Sequence, residues 1–309
     1  MSDAKVTLFE VGPRDGLQNE SRILPLNEKL ELIRSLMGAG LTRIEAGAFV
    51  RADRVPQMAD SDAVQDGLRS SGLTGEFYFL VPNRKGLARA IEKGVKHIAV
   101  FTAVSEEFNR KNIGMGVDDS FREIEAVVTE ARMQGIRVRG YVSTVFGCPF
   151  QGRIDPKLAI GAIERMAALP VEEVSVGDTI GVAAPKQVSE VFGPLIANGG
   201  AHRYAAHFHD TRGTALSNAV RALELGIRTF DSSVSGLGGC PFAPGASGNL
   251  ATEDLVYFLK ENGMETGVDY RALCETGARL SQVMGYERPV SRALQAYLAN
   301  CTRNSVWDS

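Results

Sequence analysis

The chain has no CxxC pair, no long apolar run, and only four histidines and four cysteines among 309 residues. Each scarcity removes a class of function. Cys148, Cys240, Cys274 and Cys301 are scattered, which excludes a zinc ribbon. Met1 to Val11 lacks an apolar leader core, so reduced thiols in a cytoplasmic protein are expected. No stretch reaches the roughly 20 apolar residues a membrane helix needs, and no membrane partner is expected. The ending Trp307-Asp308-Ser309 is not a peroxisomal tripeptide. A formal net charge of -3 gives no field for nucleic acid or anionic lipid. No GxGxxG follows the first strand-like run and no GxxxxGKS/T occurs, which argues against a nucleotide-binding open sheet. Low-complexity stretches, long linkers and composition shifts are missing too.

What is present is an ordinary globular composition, 44% hydrophobic and 23% charged. The pattern along it is regular. Short β-rich runs alternate with amphipathic helical segments, a sign of parallel βα units. Strands are predicted over residues 5–11, 41–46, 76–81, 95–102, 136–144, 171–176, 204–209 and 228–234. Helices are predicted over 27–39 with Asn27 as cap, 62–71, 84–93, 118–134, 156–169, 185–197, 214–225 and 249–262. Eight such units close an α/β (β/α)8 TIM barrel. We expect a single catalytic domain over residues 1–309, with the barrel over about 4–262 and additional C-terminal helices over about 263–300.

In such a barrel, functional groups gather at the C-terminal ends of the strands. Two of the four histidines sit there as His207-Phe208-His209. On a strand, residues i and i+2 face the same side, so both imidazoles enter one volume. Alone, the pair reads equally as two hydrogen-bonded strand histidines. The other strand ends change that balance. They place Arg14 and Asp15 after the first strand, Glu45 at the end of the second and Arg139 within the fifth. Asp178 follows the sixth strand, Asp231 and Cys240 belong to the eighth and its loop, and Asn249 closes that loop. Asp15, His207, His209 and Asn249 together offer two nitrogens, two oxygens and no sulfur. That set suits Mg²⁺, Mn²⁺, Co²⁺ or Zn²⁺ with positions open for substrate. Arg14 could meet a developing oxyanion, or be a simple ion-pair partner. Glu45 and Asp178 can hold a proton or merely pair at the mouth, and Arg139 can be an internal ion-pair partner. His97 and His202 lack such company and read as structural or exposed. The glycine-rich Gly236–Asn249 run is either an irregular connection or a lid that brings Cys240 over the site.

The segments Glu10-Val11-Gly12-Pro13-Arg14-Asp15-Gly16-Leu17-Gln18-Asn19-Glu20 and Ser232-Ser233-Val234 with residues 236–252 carry a resemblance. So do residues 139–143, 147–149, Gly177-Asp178-Thr179-Ile180-Gly181 and His207-Phe208-His209-Asp210-Thr211. In this order they resemble the 3-hydroxy-3-methylglutaryl-CoA (HMG-CoA) lyase family, over roughly Val6 to Leu280. The resemblance implies a metal-dependent TIM-barrel lyase giving acetyl-CoA and acetoacetate, with leucine breakdown as the usual setting. It implies Mg²⁺ or Mn²⁺ on Asp15, His207, His209 and Asn249, no organic cofactor, an acyl-CoA substrate and a homodimer. By the same resemblance, Arg14 polarises the thioester carbonyl; Arg14 and Arg139 are the expected substrate-binding residues. Glu45, Asp178 and His207 move protons, and Cys240 protonates the departing enolate.

The chain also departs from the family. Where members read Glu-Thr-Thr-Ser-Phe-Val, it has Glu45-Ala46-Gly47-Ala48-Phe49-Val50, and Arg51-Ala52-Asp53-Arg54 follows. Smaller residues here are expected to widen the acyl pocket, which keeps open a lyase for a bulkier 3-hydroxy-3-alkylglutaryl-CoA. A related aldolase or Claisen condensing enzyme, and a non-catalytic barrel binding CoA or metal, are the remaining alternatives.

Overall fold

The computed structural model describes residues 5–238 and 248–301. Its centre is a closed barrel of eight parallel strands. In chain order these are β1 (Thr7–Glu10), β2 (Arg43–Ala48), β3 (Glu76–Leu80), β4 (His97–Ala103) and β5 (Arg137–Ser143). A small antiparallel hairpin, β6 (Gly147–Cys148) and β7 (Gly152–Arg153), interrupts the series. The barrel resumes with β8 (Val174–Asp178), β9 (Tyr204–Phe208) and β10 (Thr229–Ser232). It shuts where β1 pairs with β10, Thr7 opposite Thr229 and Glu10 opposite Ser232. Closure leaves no sheet edge, so each strand bonds on both sides.

Around it run α1 (Leu26–Gly38), α2 (Ser61–Ser70), α3 (Arg84–Glu92), α4 (Glu106–Ile113), α5 (Val117–Met133) and α6 (Pro156–Ala167). Then come α7 (Pro185–Gly199), α8 (Ala215–Glu224) and α9 (Thr252–Glu261), with α10 (Tyr270–Met284) and α11 (Arg292–Cys301) beyond the barrel. Apolar stripes such as Ile124, Val127, Val128 and Ala131 of α5 bury against the strands. The main apolar core lies between the helical ring and the outer face of the sheet.

Four sequence expectations are corrected. Asn27 is not the cap of α1: the helix starts at Leu26, and Pro25 occupies the capping position with its carbonyl accepting from Lys29 N–H at 3.0 Å. The sixth barrel strand starts at Val174 rather than Val171, so Asp178 is its last residue instead of lying in the loop. Helix α9 starts at Thr252, because residues 249–251 run as an extended segment between β9 and β10. There Leu250 N–H donates to Phe208 O and Ser233 N–H to Leu250 O, both at 2.9 Å. Helix α4 went unpredicted, since only Phe108 and Asn109 of it are buried and no apolar stripe marks it. Its sequence signals were electrostatic: a Ser105 cap and the Glu106–Arg110 and Glu107–Lys111 pairs.

The barrel floor, at the N-terminal ends of the strands, is a charged plug. Arg43 pairs with Glu76 at 3.0 Å and with Glu173 at 2.8 Å. Arg137 pairs with Glu76 at 2.7 Å and also with Glu172. Arg139 lies directly over the Phe9 ring, 3.9 Å from its centroid.

Candidate active site at the strand C-termini

Local geometry explains how distant residues meet. After β1 the chain makes one wide helical turn, Gly12–Gly16, which turns Arg14 and Asp15 back over the barrel. Extended backbone through His207 of β9 and His209 just past its end puts the two rings on one side, centroids 5.2 Å apart. The returning loop lies antiparallel to the end of β9, with His209 bridged to Asn249 and Asp210 N–H donating to Gly248 O at 3.0 Å. Asn249 is thereby delivered beside His209.

Candidate ligand atoms of Asp15, His207 and His209 all lie within 4.8 Å of one another. Asn249 Nδ2 donates to Asp15 Oδ2 and to Leu237 O, both at 3.0 Å. This leaves Asn249 Oδ1 buried with no hydrogen-bond partner, and His209 Nδ1 is in the same state. Buried polar atoms without partners are costly. Two of them beside a carboxylate and a second imidazole fit a hard or borderline divalent cation. Gly238, at φ +109, has no room for a side chain, because a Cβ would stand 2.6 Å from Asn249 Nδ2.

The charges suit this reading. Burial pushes the Asp15 carboxyl up, but Arg14, His207 and His209 outweigh it and bring it to about 2. Burial, then His207, push His209 down to about 4, leaving it a neutral imidazole. Burial would lower His207 as well, yet its bond to Asp231 raises it. Arg14 Nη1 pairs with Asp15 at 2.8 Å and Nη2 with Glu45 at 2.6 Å. Both acids raise its pKa against burial, so it stays a cation. Glu45 is wholly buried, and its Oε1 has no partner. Burial raises its pKa more than Arg14 lowers it. Asp178 accepts Val182 N–H and Ala183 N–H, each at 3.0 Å, so it shapes its own loop. Burial still lifts it to about 6, partly offset by those two bonds.

Arg139 takes the internal ion-pair place that was one of its two expected readings. It is fully buried below the site, with Nη1 and Nη2 on Asp231 at 3.1 and 2.6 Å and Nε on Glu173 at 2.9 Å. Its donors are consumed by carboxylates, which leaves it an internal ion-pair partner rather than a group presented to substrate. Cys240 lies outside the described residues.

Two groups were missed as functional residues by sequence reasoning. Asp231 Oδ2 meets His207 Nδ1 at 3.1 Å and accepts the Ser175 hydroxyl at 2.7 Å. Arg139 and His207 hold its pKa low against burial. It fixes the orientation of His207, as a carboxylate behind a ligating imidazole does. Its position in β10 was the available signal. Tyr141 has a buried hydroxyl with no partner, and the Arg14 guanidinium is 5.9 Å from its ring centroid. Gly47, expected to widen the acyl pocket, opens no space. A Cβ there would meet Ser61 Oγ at 2.8 Å and Phe79 at 3.1 Å, so neighbours already fill the gap.

Residues 5–280 match the family model HMGL-like. The chain belongs to the HMGL-like family. Among relatives of this HMGL-like protein, the hydroxymethylglutaryl-CoA lyase of Pseudomonas mevalonii is 48% identical over 280 residues, covering 91% of this chain and 93% of the relative. A Pseudomonas aeruginosa protein named 3-hydroxy-3-isohexenylglutaryl-CoA/hydroxy-methylglutaryl-CoA lyase is 45% identical over 296 residues, 96% of this chain and 98% of its own. An Acinetobacter baumannii HMG-CoA lyase solved with coenzyme A and 3-methylmalate superposes with a TM-score of 0.89 at 35% identity, covering 99% and 98% of the two chains. No helix among the described residues is long and apolar enough to cross a membrane.

Proposed function

We propose that this chain cleaves 3-hydroxy-3-methylglutaryl-CoA to acetyl-CoA and acetoacetate, with Mg²⁺ or Mn²⁺ held by Asp15, His207, His209 and Asn249 and with no organic cofactor. One observation carries the reading: the Arg14 cation is fixed against Asp15, next to two histidines whose buried surroundings call for a cation. When bound, the cation would act as a Lewis acid that orients the substrate oxygens and lowers the pKa of the C3 hydroxyl.

The protein's own groups do the rest. The tertiary hydroxyl must lose its proton before the C2–C3 bond can break. His207, turned by Asp231 through Nδ1, keeps Nε2 for the site. Glu45 and Asp178, with pKa values raised by burial, are the acids suited to hold or pass that proton. The bond's electrons pass to the thioester carbonyl, and Arg14 stabilises the enolate oxygen. Cys240 returns one proton to the enolate carbon, so proton count is conserved. Arg139, whose guanidinium binds Asp231 through Nη1 and Nη2, is inferred to act through Asp231. We infer further a homodimer, as the family resemblance implies, and a cytoplasmic setting, as the scattered cysteines suggest; size-exclusion chromatography with light scattering tests the dimer.

The deciding experiment incubates the purified chain and Mg²⁺ or Mn²⁺ with HMG-CoA and, separately, with 3-hydroxy-3-isohexenylglutaryl-CoA. Acetoacetate from the first, abolished by EDTA, supports the reading. Cleavage of the second alone would replace the substrate and keep the reaction, and no cleavage of either overturns the assignment.

A further inference from the structure

Glu10 lies outside the cluster that would hold the cation, and the reaction makes no use of it. It ends β1, is fully buried, and takes hydrogen bonds from three separate segments. Its Oε1 accepts from Gly12 N–H at 2.8 Å and Val234 N–H at 2.9 Å. Its Oε2 accepts from the Thr252 hydroxyl at 2.7 Å.

Each donor belongs to a segment that places an oxygen ligand. Gly12 opens the turn carrying Arg14 and Asp15. Val234 begins the short turn Val234–Gly236 just ahead of Leu237, whose carbonyl accepts from Asn249 Nδ2 at 3.0 Å. Thr252 follows Asn249 by three residues, at the start of α9. None of these bonds involves β9 or the residue after it, which supply His207 and His209. One carboxylate therefore joins the Asp15 segment to both flanks of Asn249.

Keeping a carboxylate there is expensive. Burial pushes Glu10 up to about 7, against the pull of the Thr252, Val234 and Gly12 donors. The local sequence makes room for it. A Cβ on Gly12 would lie 2.5 Å from Glu10 Oε1. A side chain at that position would have to displace the Glu10 carboxylate.

We propose that Glu10 is a positioning residue that sets the separation of Asp15 and Asn249, with Gly12 as the residue that leaves space for its carboxylate. This rests on the reading that Asp15 and Asn249 share a cation. Substitutions at Glu10 then loosen the oxygen half of the site and leave the histidine half in place.

The test is a Mn²⁺ titration, read by the electron paramagnetic resonance of free ion, on the parent, Glu10→Ala, Glu10→Gln, Gly12→Ala and Thr252→Val. Thermal unfolding is followed in parallel. Glu10→Ala and Gly12→Ala are expected to weaken Mn²⁺ binding roughly 10- to 100-fold, the range for supporting groups behind metal ligands. Glu10→Gln, which keeps an oxygen for both backbone N–H groups, stays within about threefold of the parent, and Thr252→Val shifts affinity in the same direction as Glu10→Ala but less. If Glu10→Ala fails to fold, Gly12→Ala and Thr252→Val decide. A lowered Tm with unchanged Mn²⁺ affinity in the folded variants overturns the inference. A parent that binds no Mn²⁺ overturns the cation reading itself.

Discussion

Both ends of the barrel are lined with charge, and they use it differently. At the floor, Arg43, Glu76, Arg137, Glu172, Glu173 and Arg139 form a closed set of pairs. Among the described residues, no buried side-chain atom of that set lacks a partner. At the mouth, Arg14, Asp15, His207, His209 and Asn249 are just as close together, yet His209 Nδ1, Asn249 Oδ1, Arg14 Nε and Glu45 Oε1 are left without partners. A satisfied charge network stiffens a fold and does little else. An unsatisfied one is held in place by the surrounding structure and has free valence for a ligand. The difference between the ends is thus one of saturation, while their residue types overlap. Arg139 and Asp231 link the two, since Asp231 takes a bidentate arginine from below and turns His207 above.

The comparison can be broken at several points. Removing the divalent ion with EDTA should abolish turnover and leave the circular dichroism spectrum unchanged, because the mouth would lose its ligand while the floor keeps its pairs. Arg14→Met should lower kcat on the order of 10²- to 10³-fold, as loss of an oxyanion partner does; steady-state kinetics on folded protein reads this. Asp231→Asn, at the link, should lower Mn²⁺ affinity and kcat/KM by roughly 10- to 100-fold, measured by titration and kinetics together. Glu173→Ala, at the floor, leaves Arg139 and Arg43 each short of a buried partner. It should cost about 3 kcal/mol of stability in urea unfolding, with kcat per folded molecule within about threefold of the parent. An activity loss equal to that of Asp231→Asn would erase the distinction between the ends.

A further expected effect is one of pH. Glu253 is buried, and its carboxylate accepts Ser235 N–H on both oxygens. Burial raises its pKa from 4.5 to about 8. A raised carboxyl pKa favours the protonated form in the folded state, so ionisation of the unfolded chain costs stability as pH rises. Relative to the parent, Glu253→Gln should therefore gain stability between about pH 4.5 and 8 and level off above. Urea unfolding across that range checks the sign.

Much of the architecture was legible because it repeats. The βα alternation is written in local hydrophobic period, and eight units leave little choice but a closed barrel. The regions misjudged were those where local pattern is weak. Helix α4 has few buried residues, the β6–β7 hairpin pairs only two residues on each strand, and the 249–251 segment is extended because β9 and β10 flank it. At the site, the HxH spacing alone located both histidines. Asp15 and Asn249 joined them as strand-end and loop-end residues through the barrel reading. Arg139 stayed open between substrate binding and an internal ion pair because an arginine on a strand reads the same whether its partner is a substrate or an aspartate 92 positions away.

By itself the sequence determined the order of elements, the end of the barrel where chemistry collects, and the imidazole pair on one face of one strand. These follow from periods of 2 and 3.6 residues and need no distant contact. Only the tertiary structure decided that Asp231 stands behind His207, that Arg139 belongs to the interior, and that Glu10 joins the Asp15 turn to Thr252. Those contacts span 24, 92 and 242 positions. They depend on how the strands stagger when β1 closes against β10, and that stagger is a property of the whole barrel.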